Sequence, residues 1–199
     1  MRREWRWALA AVAALTVGAT CAEPYARVAA PYYGLVADLL AQWHPWRIDE
    51  VVVADDPNGR AVLRMTGEVF QRRGDPSPAA RMVVRIQVGE AIEVPIVFWT
   101  VLLMWPATTI RHRLLHVAVG VPVFLGLEGI TTGCQLVYAM PKAVALSLGD
   151  HDLVTSWDRW SRFLGDSGRL ALALAAALLA ISVAKRLQSR SRANRVAAA

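Results

Sequence analysis

With 199 residues, 55% of them hydrophobic and a mean hydropathy of +0.34, the chain is too apolar for an ordinary soluble domain. Its net charge of +6 would suit nucleic acid, but no basic run is interleaved with aromatics as a phosphate-tracking surface requires, so that partner is excluded. Two cysteines, Cys21 and Cys134, are too few for a disulfide framework and have no metal-ligand partners nearby; a single bridge would need both at one membrane face.

Residues 1–22 begin with the basic MRREWR and continue into WALAAVAALTVGATC, an apolar run expected to act as an N-terminal membrane anchor or a signal. Small residues near GATCA also fit a cleavable signal peptide, but Pro24 beside a cut after Ala22 favours the uncleaved anchor. A lipid attached at Cys21 is disfavoured by Gly18 and Thr20, which replace the expected aliphatic and small residues.

Residues 23–93 form the sizeable polar region. In VAAPYYGLVADLLAQW, Leu35, Val36, Leu39, Leu40 and Trp43 share a helical face, with Asp38 and Gln42 off it. Tyr32, Tyr33, Trp43 and Trp46 at its ends predict a helix lying along the outer membrane surface; the same pattern fits a helix packed under the sheet that follows. RIDEVVVADD (47–56), RAVLRMTGEVF (60–70) and RMVVRIQVGE (81–90) are strand-like runs, the last two with the period-two alternation of half-buried strands. DDPNGR supplies a turn between the first two, and QRRGDPSPAA a polar loop before the third.

Residues 94–140 predict a transmembrane hairpin, from VPIVFWTVLLMWPATTI (94–110) and a second run from Leu114 to Met140. Residues 141–167 hold Trp157, Trp160, Phe163 and Leu164 at helical spacing, opposite Asp158 and Arg162, and predict an outer loop with an interfacial helix. A fourth span is expected over 168–184, and 185–199 form a basic tail. The fold class expected is therefore an α-helical integral membrane protein with about four transmembrane helices and a small antiparallel α+β extracytoplasmic segment.

Charge gives this layout an orientation. With both termini cytoplasmic, the inner segments carry Arg2, Arg3, Arg6, Arg111, Arg113, Lys185, Arg186, Arg190, Arg192 and Arg195 against Glu4 alone, a net +9. Segment 23–93 holds eight basic and ten acidic residues, and 141–169 holds four of each. The positive-inside rule then places the main polar segment in the periplasm of a bacterial inner membrane.

Glu128 stands in the apolar run FLGLEGITTGCQLV (124–137), where an ionisable group costs about 2.5–3.5 kcal/mol at a span centre and so faces protein or water. Thr131, Thr132 and Gln135 extend it into one polar stripe, suited to binding a partner helix, lining a small cavity or relaying a proton. Gly126, Gly129 and Gly133 permit close helix contact, which makes helix packing the plain role of this face. Cys134, with His151 and Arg159 in the next outer loop, forms a second candidate, because a thiol beside a base becomes a reactive thiolate. As a small apolar packing residue Cys134 needs no such role. His112 and His116 flank the inner loop, where lipid headgroups are expected, and His44 sits in an interfacial turn. No metal site and no cofactor fingerprint is present in the sequence.

Exosortases and archaeosortases, which are membrane transpeptidases, use a cysteine, an arginine and a histidine on separate spans near the outer face. Here the order is Cys134, His151, Arg159, and TTGCQL lacks the family's surroundings of the cysteine. The stretches YYGLVADLLAQWHPW, VVVADDPNGRAVLRMTGEV and VFWTVLLMWPATTIRHRLLHVAVGVPVFLGLEG instead give the chain a layout that resembles the small membrane proteins accompanying exosortases, especially the exosortase H-associated type. That resemblance implies a non-enzymatic inner-membrane accessory protein acting by protein–protein contact in envelope protein sorting, with no catalytic residues to carry over. A membrane-embedded cysteine transpeptidase or protease using Cys134, and a small transporter component centred on Glu128, are the alternatives. The partners expected are the lipid bilayer, an integral membrane protein and, as a further candidate, a second copy of the chain.

Overall fold

The computed structural model describes residues 2–42, 46–70, 78, 80–107, 109–140 and 162–197, with side chains from 16 onward except at 19, 166 and 191–197. Helix α1 (Arg2–Ala41) leads into strands β1 (Trp46–Asp55), β2 (Ala61–Val69) and β3 (Ala80–Gln87), and three more helices follow among the described residues. These are α2 (Val88–Met104), α3 (Ile110–Met140) and α4 (Arg169–Ala197). A π-helical turn interrupts α3 at Gly129–Gly133, and another precedes α4 at Leu164–Gly168.

The three strands form one antiparallel meander in the order β1-β2-β3, as the period-two alternation predicts. Trp46 pairs with Val69 and Asp55 with Ala61; a β-bulge at Asp49 shifts the register between Ile48 and Glu50. The β1–β2 turn is fixed by the Asp56 carboxylate, which accepts the backbone N–H groups of Asn58 and Arg60, each at 2.8 Å, while Gly59 takes φ +73°. Leu63, Met65, Val69, Met82 and Val84 point into the core, against Ala30, Tyr33 and Ala37 of α1 and Leu136, Val137 and Met140 of α3. Met140 reaches over Gly67, where a Cβ would stand 2.5 Å from its methyl carbon and 2.7 Å from the Arg47 carbonyl oxygen.

Two sequence expectations fail in α1. The anchor over 1–22 and the amphipathic helix after it are one continuous element, running through Pro24 and Pro31. Each proline removes one i→i−4 hydrogen bond, and both sit on the exposed side of the helix. The face turned to the sheet is also not the predicted one. Ala26, Ala30, Tyr33, Ala37 and Ala41 are buried, whereas Leu35 and Leu39 are exposed. The small alanines let the helix lie close on the sheet, so the packed-helix alternative, rather than the membrane-surface one, describes its C-terminal half.

The four-span expectation is overturned as well. Among the described residues, only Ile110–Met140 and Arg169–Arg190 are long and apolar enough to cross a membrane. At about 1.5 Å per residue they reach about 46 and 33 Å, against a hydrocarbon core of about 30 Å. Helix α2 falls short because Glu90 and Glu93 occupy its first turns and it ends at Met104. There Pro106 forces Trp105 out of helical geometry, to ψ 133°, so the run 94–110 is not one helix.

A second core joins α2, α3 and α4. Phe98, Trp99 and Phe124 form an aromatic cluster with centroids 5.2–5.3 Å apart, and Ala173, Ala177 and Ala180 let α4 approach it. Arg169 meets Glu90 and Glu93 at one end of α2, and the Lys185 ammonium lies 5.0 Å above the Trp105 ring at the other. Helices α2 and α4 therefore run parallel. The sheet lies at the Arg169 end, and Arg111 and Arg113 in the first turn of α3, with Lys185 and Arg186 along α4, lie toward the opposite pole.

Candidate functional site

Helix α3 places Glu128 at the start of its π turn, where α1 crosses it. The Tyr33 hydroxyl donates to Glu128 Oε2 at 2.5 Å, and the Tyr32 hydroxyl donates to the Leu125 carbonyl oxygen one turn earlier. The Tyr25 and Thr132 side chains approach the same carboxyl group. Glu128 is 1% exposed, and its Oε1 has no hydrogen-bond partner among the described residues. The glycines beside it make the crossing close: a Cβ on Gly133 would stand 2.6 Å from Val36 Cγ1, and one on Gly129 would stand 2.9 Å from the Tyr32 hydroxyl. Gly126, which the sequence grouped with them, has open space around it.

The predicted polar stripe is only partly assembled. Thr131 turns back along its own helix, donating to the Leu127 carbonyl at 2.9 Å. Thr132, four residues on and on the same helix face, approaches Glu128. Gln135 is half-buried and makes no hydrogen bond among the described residues. Reading the sequence missed the tyrosines: Tyr25, Tyr32 and Tyr33 come from a segment 95–103 positions away, and Tyr33 was assigned to an interface with lipid. A tyrosine pair at one helix end and a lone intraspan acid were the signals that could have been joined.

Cys134 is half-buried, and its thiol is hydrogen-bonded to the Tyr138 side chain one turn on. His151 and Arg159 lie outside the described residues, as do His44, Trp157 and Trp160. Cys21 is exposed, and both thiols are free. His116, expected at lipid headgroups, is buried instead, on the side of α3 near Lys185. Among the described residues no group of three histidines, cysteines, aspartates or glutamates is placed to hold a metal ion.

Two charged clusters were not anticipated. Arg169 is 7% exposed; it donates to the Glu90 carbonyl oxygen at 2.9 Å and faces the Glu90 and Glu93 carboxylates at 3.6 and 3.5 Å. On the outer face of the sheet the buried Glu68 carboxylate is held between Arg47 at 3.0 Å and Arg81 at 3.2 Å. Among the described residues neighbouring Arg64 reaches only Glu50, at 3.5 Å, and its Nε is buried without a partner. Comparison of the chain with known protein families, with curated proteins and with solved structures gives no match.

Proposed function

We propose that the chain is a non-catalytic, membrane-anchored accessory protein that works by contact. In this reading α3 and α4 sit in a bacterial inner membrane and present the sheet at its outer surface, next to an integral membrane partner. The layout resemblance makes a sorting enzyme of the exosortase class the first partner to test.

One observation carries the reading, a division of surfaces. The ionisable group inside α3 is turned inward onto α1, while large apolar side chains on both long helices stay uncovered, among them Leu114, Val121, Leu125, Leu174, Leu178 and Leu179. Lipid or a partner helix suits that surface, and Arg111, Arg113, Lys185 and Arg186 at the pole away from the sheet suit an anionic inner leaflet. At the other pole, β3 is an edge strand, and an edge accepts an extended segment by strand addition.

The test is photocrosslinking in intact membranes from position 83 on the sheet edge and position 179 on α4. Capture of a polytopic protease or transpeptidase is the expected result. Extraction of the chain from membranes by alkaline carbonate would overturn the anchoring, and recovery of self-crosslinks alone would overturn the contact with another membrane protein.

A further inference from the structure

The outer face and open edge of the sheet carry the inference that goes deepest, and it rests on the contact reading above. Strand β2 places Arg64 directly opposite Arg85 of β3. Directly opposed side chains on one face of an antiparallel pair have Cβ atoms about 4.5–5.5 Å apart, where like charges repel. Arg85 has no ion pair among the described residues, and Arg64 has only the long contact to Glu50 and the unpartnered Nε. The row beside it shows the contrast: Arg81 and Arg47 share the Glu68 carboxylate. One row of the face is neutralised by a buried internal acid, and in the next Arg64 has only the long contact to Glu50 and Arg85 has no acid among the described residues.

The outer face of β3 is accessible. Arg81 has a side chain 80% exposed, Val83 is 52% exposed, and Arg85 is exposed, all three projecting from the same face of β3. On the opposite face Met82, Val84 and Ile86 continue the core.

We propose that β3 binds an extended acidic segment of a partner protein as a fourth strand, with one carboxylate of that segment beside Arg85, on the side away from Arg64. The fitting segment alternates. Apolar residues extend the row Met82, Val84 and Ile86, and on the outer face an acidic residue lies beside Arg85 with a small or apolar one beside Val83. Backbone pairing supplies the general attraction, and the Arg85 guanidinium, which has like charge at Arg64 behind it, supplies the preference for acid.

The experiment uses the full chain in detergent micelles and three fluorescein-labelled octapeptides. They are Thr-Val-Glu-Val-Thr-Val-Glu-Val, the same peptide with glutamine for glutamate, and the same with lysine. Binding is read by fluorescence anisotropy at low salt. The acidic peptide should bind about tenfold or more tighter than the glutamine one. Arg85→Gln should remove that preference, and Arg85→Glu should transfer it to the lysine peptide. Equal affinity for the glutamate and glutamine peptides would overturn the inference, as would a preference for acid that survives Arg85→Glu. Crosslinking from position 83 keeps the two claims apart. A captured sorting enzyme without acid preference would sink this inference alone, and acid preference without any membrane partner would sink the contact reading alone.

Discussion

The Tyr33 hydroxyl and the Glu128 carboxylate, 95 positions apart in sequence, meet at 2.5 Å inside the protein and tie α1 to α3. Around that bond Val36 fills the gap left by Gly133, and Tyr32 reaches the Leu125 carbonyl. Such a contact accounts for an acid in an apolar helix without invoking transport, because the group is buried against a donor from its own chain.

Removing the donor leaves a buried acceptor unsatisfied, which costs about 1–3 kcal/mol. Tyr33→Phe should therefore lower the thermal stability of the detergent-solubilised chain by that amount. Glu128→Gln keeps an acceptor oxygen and should cost less, and adding it to Tyr33→Phe should cost almost nothing further. Fully additive losses in this double-mutant cycle, read by melting temperature, would show that the two side chains are not coupled.

The glycines next to this bond provide a paired test. Gly133→Ala drives a methyl group to within 2.6 Å of Val36 Cγ1, and overpacking of this kind costs about 1–3 kcal/mol. Gly126→Ala meets open space in the same helix and should be neutral or stabilising by up to about 1 kcal/mol from helix propensity. Similar melting temperatures for the two variants would contradict the close α1–α3 crossing.

Local patterns in the sequence carried the sheet but not the crossing. The alternation in RAVLRMTGEVF and RMVVRIQVGE, and the DDPNGR turn, need only nearest-neighbour reasoning, and β1, β2 and β3 lie within a few residues of their predicted bounds. The continuity of α1 was hidden because Pro24 and Pro31 ordinarily end helices, and only tertiary contacts hold this one together across them. Pro106 was the readable signal that 94–110 is broken, and Glu90 and Glu93 the signal that α2 begins in polar surroundings. Of the polar stripe, Thr132 approaches Glu128 as helical spacing implies, while Thr131 is taken by the Leu127 carbonyl, a local backbone bond that spacing alone does not reveal. For Cys134 the structure supplies Tyr138 as neighbour, a contact one helical turn away that a search for histidine and arginine passes over.

Arg169 sits where α4 meets the first turns of α2, its side chain 8% exposed and its two carboxylate partners about half exposed. The partners' exposure limits the value of the ion pairs, but the bond to the Glu90 carbonyl and the buried stem are lost together when the side chain is removed. Arg169→Ala should destabilise the chain by about 1–3 kcal/mol, and Glu93→Gln by less than about 1 kcal/mol. A melting temperature unchanged by Arg169→Ala would mean that this junction does not hold α4 in place.

Acid should loosen the β1–β2 turn through Asp56. The Arg60 and Asn58 backbone N–H groups, the former most strongly, hold the Asp56 carboxyl below its ordinary value by favouring the charged form. A group whose folded value is depressed contributes stability that is complete above its unfolded value, about 3.9 for aspartate, and is lost as pH falls from there through the folded value. Hydrogen-exchange protection of the Asn58 and Arg60 amides, corrected for intrinsic rates, should stay level from pH 7 to about 5 and drop below about 4. In Asp56→Asn the side-chain oxygen still accepts but no longer titrates, so protection should be weaker at neutral pH and should lose its acid-dependent fall. A fall of the same size in Asp56→Asn would assign the pH dependence to another carboxylate and remove Asp56 as its source.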